Sequence, residues 1–229
     1  MIDHAVSKTS FLFDLDGTLA DSVYHHVVAW REALEAEGID VSLWRIHRKI
    51  GMSGGLFADM LLRETELSID AARSERLRDL HAAAFNTHSA SIRPLPGARE
   101  LLTYLSDVGI PWAIATSGRT VTARPALKSL DLDLERTPIV TRDQVRYAKP
   151  DPDLFVNAAE GLGIGMETAT VVGDSVWDML AAQRARALGV GLLSGGYSED
   201  ELERAGAYRV YEDPAGLLKH IDEVGGRRK

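Results

Sequence analysis

Five short apolar runs, separated by stretches with helical spacing, constrain this chain more than any other feature. They cover residues 10–15 (SFLFDL), 111–116, 137–141, 169–173 and 189–193. Each is short enough for a buried strand, and the first ends at an acidic-glycine turn. Between them, Leu101, Leu105 and Val108 form one helical stripe. Leu154, Ala158 and Leu162 form a second, and Val176, Met179 and Leu180 a third. Pro152 directly after Asp151 is expected at the first position of a helix behind an Asp N-cap. Strands alternating with helices predict βαβ units and an α/β fold, a Rossmann-like, doubly wound parallel sheet.

One interval breaks the rhythm. From residue 20 to about 94 there is no strand-like run, only amphipathic patterns: Val23, Val27, Trp30 and Leu34, then Leu56 and Met60, then Leu77, Leu80 and Ala84. That is far too long for a simple loop. It predicts an α-helical cap over 20–90, inserted into a core of 1–19 and 91–229, with connections at 19–22 and 86–96. The 229 residues suffice for such a core plus a small second unit.

Composition removes several chemistries. Cysteine is absent, so disulfides, thiolate nucleophiles and thiolate metal sites are excluded. No apolar run is long enough to span a bilayer, and the N-terminus MIDHAVSKTS lacks a signal-peptide pattern, so no membrane partner and a cytoplasmic location are expected. The net charge of -8 argues against nucleic acid and requires a local positive focus for any anionic substrate. The basic cluster Arg227, Arg228, Lys229 behind two glycines reads as a frayed tail. The oligomeric state is left open.

Four sites fall where strands should end, the edge at which open α/β sheets bind ligands. The first is Asp14-Leu15-Asp16-Gly17-Thr18. Two aspartates two residues apart on an extended run can point to the same side, where they bind a cation together or divide into one ionised and one protonated group. A carboxylate can also attack phosphorus. A bare Asp-Gly pair would suit a plain turn; the whole string DLDGTLADS after FLF favours the chemical reading. The second site is Thr116-Ser117-Gly118, hydroxyls and backbone N–H groups suited to an anion, although Ser and Thr also cap helices. The third is Lys149 beside a proline turn, either a point charge for a phosphate or carboxylate or an exposed loop lysine. The fourth is Gly173-Asp174 with Asp178 one helical turn on, either magnesium ligands or carboxylates complementing a helix N-terminus.

In order and spacing these four sites closely resemble the motifs of the haloacid dehalogenase superfamily. The branch resembled is that of phosphatases and phosphomutases with a helical cap, of the phosphoglycolate phosphatase and beta-phosphoglucomutase kind. Asp14 and Asp16 match the first motif, Thr116 the second, Lys149 the third, and Asp174 with Asp178 the fourth. The resemblance implies a Mg2+-dependent hydrolase of a small-molecule phosphate monoester. Asp14 would form an aspartyl-phosphate, and Asp16 would act as general acid and base. Asp14, Asp174 and the backbone carbonyl of Asp16 would hold the metal. Thr116, Ser117, Gly118 and Lys149 would hold the phosphoryl oxygens. Asp16 also separates the chain from the dehalogenase and phosphonate-cleaving branches, which lack an acid there.

In such relatives a turn of the cap dips toward the active site. Here that turn is residues 45–55 (RIHRKIGMSGG). Gly51, Met52 and Ser53 are expected to line the leaving-group pocket, with Arg45, His47, Arg48 and Lys49 as charged readers; a plain helix–turn–helix with a solvated basic helix fits the segment equally well. The other histidines form no zinc-like pattern with carboxylates. A phosphomutase would use the same residues and differ in whether water or substrate reaches the phosphoenzyme. A receiver-type phosphoacceptor domain fits poorly, because receivers arrange their acidic residues differently and lack the cap.

Overall fold

The computed structural model describes residues 9–64 and 70–227; the first eight residues, 65–69, and Arg228 and Lys229 of the basic cluster lie outside them. The strands are β1 (Ser10–Phe13), β2 (Ala20–Asp21), β3 (Arg93–Pro94), β4 (Trp112–Ala115), β5 (Ile139–Val140), β6 (Ala169–Gly173), β7 (Leu188–Leu192) and β8 (Ala207–Tyr211). The helices are α1 (Val23–Ala36), α2 (Leu43–His47), α3 (Gly54–Glu64), α4 (Ala71–His88), α5 (Ala98–Asp107), α6 (Thr120–Ser129), α7 (Asp153–Leu162), α8 (Val176–Ala185), α9 (Glu199–Arg204) and α10 (Pro214–Lys219).

Six strands pair in parallel in the order β5-β4-β1-β6-β7-β8. β1 is central, with Leu12 level with Ala113 on one side and Val171 on the other. Alternation along β1 sends Phe11 and Phe13 into a cluster with Leu101 and Leu105 of α5 and Leu127 of α6. Leu12 faces the opposite way, toward Phe155 of α7 and Ala181 of α8. With both faces covered by helices, the strands read as continuous apolar runs rather than alternating ones. The sheet is therefore doubly wound, as the sequence predicts.

Three details differ from expectation. β8 carries no apolar run because it is an edge strand, and its sequence AYRVY leaves Tyr208 and Arg209 exposed. Pro152 sits at the N-cap of α7, one position earlier than expected, so Asp151 lies outside the helix. Arg227 is not a loose end, since it pairs with Asp222 at 2.8 Å.

The interval after β1 forms four helices, α1 to α4, around an apolar cluster of their own that includes Val27, Trp30, Leu34, Ile46, Phe57 and Leu77. The two chain connections run side by side: β2 pairs antiparallel with β3, Ala20 opposite Pro94 and Asp21 opposite Arg93. The helical insertion thus hangs over the C-terminal edge of the sheet from a two-stranded ladder.

Candidate active site

The chain leaves β1 at Phe13, and the N–H of Asp14 still bonds the carbonyl of Val172 in β6 at 2.9 Å. This fixes the Asp14 carboxylate at the sheet edge, almost fully buried. A tight turn follows, in which Thr18, Leu19 and Ala20 all direct their N–H groups to the Leu15 carbonyl. Gly17 makes the turn possible at φ +84°; a Cβ there would lie 2.5 Å from Asp174 Oδ2. Thr18 Oγ1 donates to Asp174 Oδ1 at 2.9 Å, tying the first motif to the end of β6.

Lys149 is fully buried, which settles its two readings against the exposed loop lysine. Its Nζ donates to Asp14 Oδ1 and lies 2.8 Å from Asp178 Oδ1. Asp178 takes the helix N-terminal role and adds a second contact. Its Oδ2 accepts from the N–H (3.1 Å) and hydroxyl (2.5 Å) of Ser175 at the start of α8, while Oδ1 faces the lysine. Asp14, Asp174 and Asp178 each bring a ligand oxygen within 4.8 Å of the others.

Three buried carboxylates around one ammonium leave excess negative charge. Burial, with Asp178 and Asp16 nearby, pushes Asp14 up to about 7 even though Lys149 pulls it down. Burial, then Asp178 and Asp14, raises Asp174 well above the ordinary range. Burial opposes the charge on Lys149, but Asp14 and Asp178 outweigh it and raise the lysine. An all-oxygen, anionic group of this kind suits a hard divalent cation. The Asp16 carboxylate lies outside the group.

That carboxylate turns the other way. Its Oδ1 accepts from Ser22 Oγ at 2.5 Å and lies 3.3 Å from His26 Nε2, while Thr116 Oγ1 reaches Oδ2 at 3.5 Å. Burial works to raise this acid, but the imidazole of His26 and the Ser22 hydroxyl hold it below the ordinary carboxylate value. His26 Nδ1 lies 3.0 Å from His81 Nε2, and the two rings stack among Trp30 and Phe85. Burial holds His81 well below its usual value. His88 Nε2 pairs with Glu32 at 2.8 Å.

Thr116 Oγ1 accepts the Gly118 N–H at 2.9 Å, which closes the turn after β4. Ser117 Oγ is buried there with no partner among the described residues. A cavity of about 260 Å³ opens beside this turn and is lined by Asp14, Asp16 and residues 116–118 below, and by Lys49, Gly51 and Met52 of the insertion above.

The turn at 45–55 divides differently from the expectation. Arg48 turns to the core: it pairs with Glu201 of α9, lies 4.0 Å from the Tyr197 ring centroid, and offers its carbonyl to Tyr197 Oη (2.9 Å) and Trp177 Nε1 (3.3 Å). His47 Nε2 meets the Gly195 carbonyl at 2.7 Å. Arg45 lies over the neighbouring Trp44 ring. Ser53 is buried, and its hydroxyl accepts the Leu56 N–H at 3.4 Å at the start of α3; it is not among the residues lining the cavity. Lys49, by contrast, is buried and lines it.

Sequence reasoning missed Ser22, His26 and His81. Ser22 and His26 lie six and ten residues after Asp16 on the start of α1, a spacing that returns to the strand edge. That Ser22 and His26 follow the acidic pair so closely was the available signal; the partnership with His81, 55 residues further on, had none.

The geometry is that of a hydrolase family. The haloacid dehalogenase-like hydrolase model matches residues 9–186. Hexitol phosphatase A of Escherichia coli (strain K12) is 35% identical over 177 residues, covering 76% of this chain and 78% of the relative. Phosphoglycolate phosphatase of Agrobacterium fabrum is 32% identical over 218 residues, 93% of this chain and 91% of the relative. Among solved structures, a hydrolase from Pseudomonas syringae superposes with a TM-score of 0.93 at 58% identity, covering 94% of this chain and 99% of that one. This chain belongs to the haloacid dehalogenase-like hydrolases.

Proposed function

We propose that this protein is a magnesium-dependent phosphatase of small-molecule phosphate monoesters that works through an aspartyl-phosphate on Asp14. The observation that carries the reading is the convergence, at one end of one cavity, of the Asp14 carboxylate with Lys149 and of an unpartnered, buried Ser117 hydroxyl. An anion bound there would take the Ser117 hydroxyl and the turn's N–H groups as donors, a fixed array of the kind that stabilises charge in phosphoryl transfer. The phosphatase names of the relatives point the same way.

Magnesium held by Asp14 and Asp174, with the Asp16 carbonyl, would neutralise the repulsion between a carboxylate nucleophile and a phosphate dianion. The remaining work falls to the chain. Lys149 keeps Asp14 oriented and ionised, and Asp178 keeps Lys149 in place. Asp16, held on Oδ1 by Ser22 and His26, presents Oδ2 beside Thr116. A phosphate dianion arriving next to it favours its protonated form, so it can give a proton to the leaving oxygen. Once the alcohol departs, the carboxylate takes a proton from water that attacks the phosphoenzyme. The helical insertion, 20–90, acts as a lid that excludes bulk water and supplies the leaving-group pocket.

A screen of the purified protein against phosphate monoesters with magnesium tests this, with hexose 1-phosphates and trace bisphosphate included to expose mutase turnover. Asp14→Asn is expected to lower kcat by more than about 1000-fold, because an amide is a poor nucleophile. Activity within tenfold of the parent would rule out the covalent route.

A further inference from the structure

The cavity also carries cationic side chains. Lys49 and Arg78 line it from the insertion, and Arg119 and Arg142 from the core. Four cations around one cavity stand out in a chain of net charge -8.

The four are not equally committed. Arg142 spends its guanidinium on the carbonyls of Val145 (2.7 Å) and Arg146 (3.3 Å). Arg119 donates to Glu75 at 3.1 Å. Arg78 is held at two corners only: Nη2 donates to Glu75, and Nη1 to Ser74 Oγ at 3.4 Å. Its Nε is buried with no partner among the described residues. An unpaired N–H on a buried part of a cation is costly unless an acceptor arrives. Glu75 and Ser74 fix the plane of the guanidinium, so little ordering remains when an acceptor binds.

The surroundings limit what can reach it. Trp30 and Phe57 form apolar wall on the same side, and bare glycine backbone at Gly54 and Gly55 leaves room beside the arginine; a Cβ on Gly55 would lie 3.1 Å from Arg78 Nη1. A cavity of about 260 Å³, part of it taken by phosphate, admits only a small leaving group.

We infer that Arg78 determines specificity by taking a second anionic group, a carboxylate or a second phosphate, on the leaving group of the substrate. The inference rests on the phosphatase reading for the phosphoryl group at Asp14. Its test reads equilibrium binding, so that absence of turnover on the ester panel, which would sink that reading, remains a separate result.

Calorimetry with magnesium compares three ligands: 3-phosphonopropionate, its neutral counterpart 3-hydroxypropylphosphonate, and propane-1,3-diphosphonate. The parent protein should bind at least one charged ligand about 10- to 100-fold tighter than the neutral one, the gain expected of a hydrogen bond between charged partners. Which charged ligand gains more identifies carboxylate or phosphate. Arg78→Met should erase the difference while leaving the neutral ligand within about 3-fold, and Arg78→Lys should retain part of it. If Arg78→Met does not fold, the ranking by the parent protein and Arg78→Lys decides. Equal affinity for charged and neutral ligands, no binding of any of them, or a parallel loss for all three in Arg78→Met would overturn the inference.

Discussion

Asp16 carries an imidazole and two hydroxyls on its carboxylate, and each partner bears on how it exchanges a proton. Ser22 and His26 act on Oδ1 and favour the ionised form; Thr116 touches Oδ2. His26 is in turn placed by His81, so the orientation of the acid depends on α4 as well as on α1. His26→Gln removes the main influence that lowers Asp16 against burial. The carboxyl then rises. Since Asp16 must be ionised to accept a proton from water, the acid limb of the pH–rate profile should move to higher pH. A fall in kcat of about 10- to 100-fold should accompany it, part of the effect of general acid–base catalysis. A uniform loss with an unmoved limb would make His26 a packing residue only.

At the scale of elements, the contacts between the insertion and the core include the β2–β3 ladder, the His26–Asp16 contact, the Arg119–Glu75 pair, and the turn after α2, which sits on the segment before α9. The last is built from Arg48, His47 and Tyr197. Gly195 belongs to this contact on the core side, where a Cβ would fall 1.8 Å from Asp174 Oδ2, so the docking turn and the carboxylate cluster share one glycine. The Arg48–Glu201 pair is about a third exposed on each side, so its contribution to stability is at most about 1 kcal/mol. On the proposed lid role of the insertion, its larger effect would be on closure. Arg48→Ala should therefore lower kcat/KM in parallel across a substrate panel and leave the ranking intact. A changed ranking would restore Arg48 as a reader of substrate.

Over the whole molecule, the carboxylate cluster makes folding and cation binding one problem. Asp14 and Asp174 have raised values in the fold, so between the ordinary carboxylate range and about 7 the folded chain holds protons that the unfolded chain has released. Stability without metal is favoured below that window and is lost as pH rises through it. A cation bound at the cluster would replace those protons, and it would compete less with them as pH increases. Magnesium should accordingly raise Tm more at pH 8 than at pH 6, and Asp174→Asn should remove most of the shift. Scanning calorimetry with and without a chelator measures both. A larger effect at the lower pH would contradict the cluster as the binding site.

The core of this architecture was legible because local rules and the global fold agree. Short apolar runs bounded by turns can only be strands covered on both faces, and the same runs end at the residues that meet around Asp14. Edge strand β8 escaped because half its side chains face water, so its composition carries no core signal. What lies opposite a side chain is a different kind of fact. Periodicity places Arg48, His47 and Lys49 on one basic turn, but only the packing of the insertion on the core sends Arg48 and His47 to Glu201 and Gly195 and leaves Lys49 in the cavity. In isolation Lys149 reads as an exposed loop lysine, until Asp14 at the end of β1 and Asp178 in the first turn of α8 close around it. His26 and His81 acquire their partners in the same way. The chain alone determines which chemistry each residue can perform; the partner that selects among those chemistries comes from distant segments, and their approach is set by how the helices pack.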